Sequence, residues 1–298
     1  MVKRTLYFGN PAYLKTKTEQ LIVEKQDDGE QVTVPIEDIG LVILDHSQIT
    51  ITSGVIAKML EKNVAIVTCD ATHHPTGLMM NLDGHTLQSK QFAAQLEATL
   101  PMKKQMWQQT ITSKIYNQAQ LLRQHGKEAR FLLNLAKDVK SGDSENHEAK
   151  AASYYWKNLF PPSVAFRRDR FGMPPNNMLN YGYAILRAIV ARNLVGSGLL
   201  PTLGIFHRNQ YNAYCLADDI MEPYRPFVDK VVHSLIDPFE PAMELTPELK
   251  RVLLTIPAMD VFIDGQKSPL MNAVQRTTAS VAKCFEGKAK SIVYAEME

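Results

Sequence analysis

His73-His74-Pro75-Thr76-Gly77 divides this sequence into two textures, and the contrast between them decides the fold. Proline and glycine this close together interrupt regular structure. Upstream of the break, short β-branched runs alternate apolar and polar residues, the period-two signature of strands. Thr5-Leu6-Tyr7-Phe8 reads as a strand stopped by Gly9-Asn10-Pro11. Tyr13-Leu14-Lys15-Thr16, Leu21-Ile22-Val23-Glu24 and Val32-Thr33-Val34-Pro35-Ile36 follow, with a hairpin-turn signal at Asp27-Asp28-Gly29. Leu41-Val42-Ile43-Leu44 is apolar throughout, as a strand covered on both faces is. Ile49-Thr50-Ile51-Thr52 predicts one more short strand, residues 53–62 a helix, and Val64-Ala65-Ile66-Val67-Thr68-Cys69 a last strand.

Downstream the period changes to three and four. Apolar positions at helical spacing run over 91–140, 146–159, 176–195, 246–255 and 269–286. Gly196-Ser197-Gly198 ends the third of these. A further helix is predicted to begin near Asn209 to Asn212, with Pro223 and Pro226 breaking it or starting the next. The polar stretch 71–89 reads as a connection. The expected architecture is therefore α+β: a small N-terminal β-rich domain over 1–72, a linker over 73–90, and a larger all-α domain over 91–298. The adjacent His73 and His74 lack further ligands at metal-binding spacing and assign no centre by themselves.

Composition narrows the class of protein. With 298 residues, 45% hydrophobic and 21% charged, the chain has an ordinary globular balance. No run of about 18 uncharged apolar residues is present to span a bilayer. The start, Met1-Val2-Lys3-Arg4, lacks the apolar stretch of a secretory signal. Cys69, Cys215 and Cys284 are odd in number and far apart, which argues for reduced thiols and a cytoplasmic location. The net charge of +2 does not by itself announce a nucleic-acid binder. Local basic clusters must carry that argument.

Three segments hold residues able to do chemistry. Glu148 opens a helix whose Ala149, Ala151, Ala152 and Ser153 let another element approach closely. Its ordinary reading is an exposed first-turn acid favoured by the helix dipole. His207 follows Gly204-Ile205-Phe206 on a loop, where functional side chains concentrate, although a turn histidine is commoner. Asp218, Asp219 and Glu222 crowd an otherwise apolar segment, Leu216 to Pro226. Spacings of three and four put these acids on one helical face, where they need a cation or open solvent. Two carboxylates and an imidazole would suit Mg2+ or Mn2+ better than a structural zinc. Phe166-Arg167-Arg168-Asp169-Arg170-Phe171 interleaves arginines with aromatics, and Arg208 and Arg225 lie in the same helical region. Such groups can contact phosphates and stack on bases.

Read together and in order, four segments are far more specific than any one: Glu148-Ala149-Lys150-Ala151-Ala152-Ser153-Tyr154-Tyr155-Trp156; Asn180-Tyr181-Gly182-Tyr183-Ala184-Ile185-Leu186; Gly198 to His207; and Leu216 to Pro226. They resemble the universal CRISPR-associated adaptation integrase, a metal-dependent DNA endonuclease that inserts spacers. The wording Asp218-Asp219-Ile220-Met221-Glu222-Pro223-Tyr224-Arg225-Pro226 is similar to the version found beside the single-protein RNA-guided effector nuclease of type II systems. The resemblance implies that Glu148, His207 and Glu222 are the metal ligands and catalytic residues, with Asp219 as an accessory acid and Asp218 weaker still. It implies a reaction in which a DNA 3′-hydroxyl attacks a phosphodiester at a repeat border. It implies double-stranded DNA as substrate, a homodimer built through the β domain, and a small second adaptation protein as partner. The effector nuclease and a ring-shaped DNA-binding protein are further implied partners. Two other readings of the same residues stay open: a general repair nuclease on branched or single-stranded DNA, and a non-catalytic dimeric DNA-binding scaffold.

Overall fold

The computed structural model describes residues 3–25, 30–169, 171–236 and 244–298, and they fall into two compact units, Met1–Gln88 and Ser89–Glu298. The turn expected at Asp27-Asp28-Gly29 lies outside the described residues.

The first unit carries two four-stranded sheets. In one, β1 (Arg4–Phe8), β5 (Ile39–Leu44), β7 (Ala65–Cys69) and β8 (Pro75–Met79) lie side by side in that order. The first three are parallel, and β8 returns antiparallel. The unbroken apolar run in β5 follows from this: it is the inner strand of a parallel set. The other sheet runs β4 (Gln31–Pro35), β3 (Gln20–Lys25), β2 (Ala12–Lys17), β6 (Ile49–Ile51). Helix α1 (Ser53–Glu61) starts at Thr52, whose hydroxyl accepts the Val55 N–H as an N-cap. Leu14, Leu21, Ile36, Ile39, Val42, Val55, Met59 and Ile66 form its buried core.

Residues 75–79, read from the sequence as part of a connection, form β8. Proline and glycine conceal this strand, and proline is tolerated because it opens an edge strand. His73 turns the chain into it with φ 62°. Its Nδ1 lies 2.8 Å from Asp45, which also accepts the Tyr7 hydroxyl at 2.6 Å.

The second unit is built on α3 (Leu100–Gln124), with α2 (Gln88–Glu97) before it. Thr99 caps α3 and Pro101 occupies its first turn. Trp107, Ile111, Lys114, Ile115, Gln118 and Leu122 recur at three and four residues and are all buried. Helices α4 (Arg130–Asp138), α5 (His147–Leu159), α6 (Asn176–Gly196), α7 (Cys215–Met221), α8 (Arg225–Leu235), α9 (Pro247–Leu253) and α10 (Leu270–Phe285) complete the helical set among the described residues. Helix α6 is buried on nearly every face. Gly182 makes that possible, since a methyl there would lie 2.5 Å from Val228 Cγ1 on α8.

Two expectations change. The unit is not all-α: β9 (Asp260–Ile263) and β10 (Gln266–Pro269) form a hairpin across Asp264-Gly265, both with positive φ. Helix α7 begins at Cys215 rather than near 209–212. The Asn209 and Asn212 side chains accept the backbone N–H groups of Tyr211 and Tyr214 two residues on, closing turns that compete with helix. Among the described residues no helix is long and apolar enough to cross a membrane.

Candidate active site

Glu148 owes its position to the start of α5. The Asp143 carboxylate accepts the N–H groups of His147 and Glu148 at 2.8 and 3.0 Å, capping the helix from outside. Glu222 sits in the single 3-10 turn Glu222–Tyr224 that Pro223 inserts between α7 and α8. Asn117 of α3 fixes that turn by donating to the Pro223 carbonyl at 2.8 Å.

Lys114, one turn before Asn117 on α3, joins the two acids. Its ammonium lies 2.6 Å from Glu148 Oε1 and 2.6 Å from Glu222 Oε2. The two carboxylate oxygens are therefore no more than twice that distance apart. The contact with Glu148 is a hydrogen bond; the contact with Glu222 is an ion pair without hydrogen-bond geometry. Arg225 Nε approaches the other Glu222 oxygen at 2.8 Å, again as an ion pair. Burial opposes the charge on Glu222, yet Arg225 and Lys114 win and pull its carboxyl down to about 2. Burial likewise opposes the charge on Lys114, and Glu222 and Glu148 hold it above the usual lysine range.

His207 comes from the loop between α6 and α7. Gln95 of α2 donates to the carbonyls of Leu200 and Leu203 and accepts the Leu200 N–H, tying down the front of that loop. Asp219, with no exposed side-chain surface, ties down its end. The Asp219 carboxylate accepts the N–H groups of Ile205, Phe206 and His207 at 2.7, 2.9 and 3.2 Å, and meets His207 Nδ1 at 2.5 Å. Gly204 permits the tight passage, since a methyl there would stand 2.4 Å from the His207 carbonyl. The Asp219 hydrogen bond raises the imidazole above its usual pKa against burial, with help from Glu222 and Glu148. The ring is 41% exposed, and no described residue partners its Nε2. Phe206 lies flat on Trp107 of α3, centroids 4.1 Å apart, and the His207 ring meets Trp107 edge-on at 5.7 Å.

The structure thus brings Glu148 and Glu222 together on Lys114, and their charges reach His207 across the same unit. Among the described residues, no three acid, histidine or cysteine side chains already meet in coordinating geometry. The donor set nonetheless fits a divalent ion. Glu222 Oε2 is buried without a hydrogen-bond donor, and His207 presents one nitrogen while a carboxylate holds the other, the arrangement of metal-binding histidines. Asp218 lies apart from this group: its carboxylate is held by Arg187 Nε at 2.6 Å and Asn212 at 2.7 Å.

The arginines separate into two groups. Arg168 donates to the Asn176 and Asn180 side chains at 2.9 and 2.8 Å and stands over the Tyr183 ring. Arg225 lies over the same ring, 4.6 Å from its centroid, while paired with Glu222. Both are engaged inside the protein. Arg167 and Arg208 are exposed, and Arg170 lies outside the described residues. Sequence reasoning missed Lys114. The available signal was a lysine on the buried stripe of α3, seven residues after Trp107 and three after Ile111.

Comparison with known proteins identifies the family. The family model described as CRISPR associated protein Cas1 matches residues 6–264. The CRISPR-associated endonuclease Cas1 of Neisseria meningitidis serogroup C (strain 8013) is 36% identical over 282 residues, covering 94% of this chain and 91% of that protein. Among solved structures, a casposase bound to integration product superposes with a TM-score of 0.78 at 21% identity, over 98% of this chain and 92% of that one. A Cas1 protein from Thermotoga maritima gives 0.75 at 15% identity, over 99% and 100%. A Cas6-RT-Cas1–Cas2 complex gives 0.74 at 22%, covering all of this chain and 36% of that longer one. By the span of the family match and the identity to a curated relative, the chain belongs to the Cas1 family of CRISPR-associated proteins.

Proposed function

We propose that this chain is the metal-dependent endonuclease and integrase of a CRISPR adaptation system, with Glu148, His207 and Glu222 as metal ligands. The observation that carries the reading is the meeting of Glu148 and Glu222, 74 residues apart, around one cationic point. A Mg2+ or Mn2+ ion held there would polarise a phosphodiester and stabilise the charge on its oxygens.

The residues divide the remaining work. Glu148 and Glu222 supply the hard oxygen donors such an ion prefers. Asp219 fixes the tautomer of His207 by accepting from Nδ1, which leaves the Nε2 lone pair for a metal. Of the candidate arginines, Arg167 and Arg208 are exposed and available to DNA phosphates. In strand transfer, the attacking 3′-oxygen loses its proton to solvent and bonds to phosphorus. The target P–O3′ bond breaks, and the departing 3′-oxygen takes up a proton. Hydrolysis follows the same course with water as the nucleophile.

Double-stranded DNA, a second copy of this chain through the β-rich unit, and a small Cas2-like protein are the proposed partners. The likeness to a casposase bound to integration product and to a Cas6-RT-Cas1–Cas2 complex supports the DNA and Cas2-like partners. An effector nuclease is the further partner suggested by the type II wording around Asp218 to Pro226.

The test is a strand-transfer assay with a 3′-hydroxyl duplex and a supercoiled repeat target, with Mg2+ or Mn2+. Joined products that require the small partner protein are the expected result, lost in Glu148→Gln, His207→Ala and Glu222→Gln while DNA binding persists. Cutting without joining, partner present, would favour a repair nuclease. Undiminished cutting by all three variants would remove the site assignment.

A further inference from the structure

We propose that Lys114 is a positioning residue of this pocket: its ammonium holds Glu148 and Glu222 at one point and competes with the divalent ion for them. The inference rests on the metal reading above and adds to it a residue outside the ligand set.

Lys114 is only 9% exposed and stands on the apolar stripe of α3, between Ile111 and Ile115. An ammonium in such a place is costly unless it is paired, and a lysine has no general reason to occupy it. Its partners arrive from two separate elements, the first turn of α5 and the turn between α7 and α8, at the same 2.6 Å. Without a cation between them, two carboxylates this close repel, and their elements lose a shared anchor. Lys114 supplies that anchor from within the chain.

It is an incomplete occupant. Its one charge is shared between two carboxylates, and the second cation, Arg225, pairs with Glu222 alone. A divalent ion would bring two charges to both carboxylates at once, drawing their oxygens to about 2.1 Å. It cannot share the point with an ammonium that already lies 2.6 Å from the same two oxygens, because the two cations would face each other at close range with little water between. Ion binding must therefore move the ammonium off at least one carboxylate. The ligand geometry is preformed by Lys114, at a cost in affinity for the ion that replaces it.

The experiment is a Mn2+ titration of the full chain, following the free-ion signal by electron paramagnetic resonance, with melting temperatures recorded with and without Mn2+. Lys114→Met removes the charge. Lys114→Gln removes it while keeping a polar end, and serves where the methionine variant does not fold. Either should bind Mn2+ about tenfold or more tightly than the wild type. Either should also melt lower without the ion and gain more from it. Lys114→Arg, still charged, should bind no more tightly than the wild type. Unchanged or weaker Mn2+ binding by a folded neutral variant overturns the proposal. Glu222→Gln separates the two levels. If it abolishes wild-type Mn2+ binding while the lysine variants change nothing, the competition alone fails. If the wild type shows no Glu222-dependent binding, the metal reading fails and takes this inference with it.

Discussion

Asp219 holds His207 twice, by the ring Nδ1 at 2.5 Å and by the backbone N–H at 3.2 Å, and takes the two preceding backbone N–H groups as well. The acid that the resemblance offers as an accessory has its acceptor positions filled by the loop that carries the histidine. Its part is orientation. Asp219→Asn should lower the strand-transfer rate about 10–100-fold, as loss of a partner behind a metal-binding histidine does. Melting temperature should fall as well, since an amide cannot accept all four donors. A normal rate in a folded variant would take Asp219 out of the site.

Gly204 and Gly182 offer a matched pair of methyl insertions. At Gly204 the new carbon would stand 2.4 Å from the His207 carbonyl and 2.8 Å from Asp219 Oδ2, so the histidine loop must shift. At Gly182 it would meet Val228 Cγ1 and the Ile256 side chain, neither of them part of the histidine loop. Both substitutions to alanine should cost about 1–3 kcal/mol of stability. Only Gly204→Ala should also lose activity per folded molecule, measured by strand transfer below the melting transition of each variant.

The chain has two tryptophans, and one of them, Trp107, lies buried under the half-exposed ring of Phe206. Phe206→Ala should uncover Trp107, shift its fluorescence to longer wavelength and cost about 1 kcal/mol for the lost stacked pair. Because the His207 ring also rests on Trp107, its alignment should loosen and nuclease turnover should fall. An emission spectrum identical to the wild type would show that the stack does not form.

Asp229 is buried between the hydroxyls of Tyr155 and Tyr183, and burial pushes its carboxyl up to about 6 in spite of those bonds and of Arg225 nearby. A raised acid keeps its proton in the folded state where the unfolded chain, near the ordinary aspartate value, has lost it. Folding stability contributed by Asp229 therefore falls as pH rises from about 4 to about 6 and levels off above. Glu222, held near 2, acts in the opposite sense: its contribution is present above the ordinary glutamate value and is lost only as pH falls toward 2. The melting-temperature difference between wild type and Asp229→Asn should shrink from pH 4 to pH 6. A difference that stays constant over that window would mean that Asp229 titrates normally.

Much of the fold is legible because the hydrophobic period is strong. The strands through β7 follow from alternation and from the apolar run Leu41–Leu44, and the long helices from spacing and from terminators such as Gly196-Ser197-Gly198. What escapes is short or disguised. Strand β8 begins with proline and contains glycine, and the β9–β10 hairpin has strands of only four residues, too few to establish a period amid helices. In the candidate site, three ordered segments nominate Glu148, His207 and Glu222, and the structure sets the two glutamates on one lysine. Lys114 itself is not legible, because a lysine in a helix full of Gln and Lys looks like a solvated one until α5 and the Glu222 turn are seen to converge on it. The inward roles of Arg168 and Arg225 are equally invisible, since they depend on Tyr183, Asn176 and Asn180 meeting them across elements.

Asn117 donates to the carbonyls of Pro223 and Ala295 and accepts the N–H of Met297. One amide side chain thus stitches the turn bearing Glu222 to a stretch of polypeptide made some seventy residues later. On the ribosome, the turn bearing Glu222 lacks this tie until residue 297 has emerged. A nascent chain stopped shortly before that point would carry the helices without the stitch between this turn and the last residues.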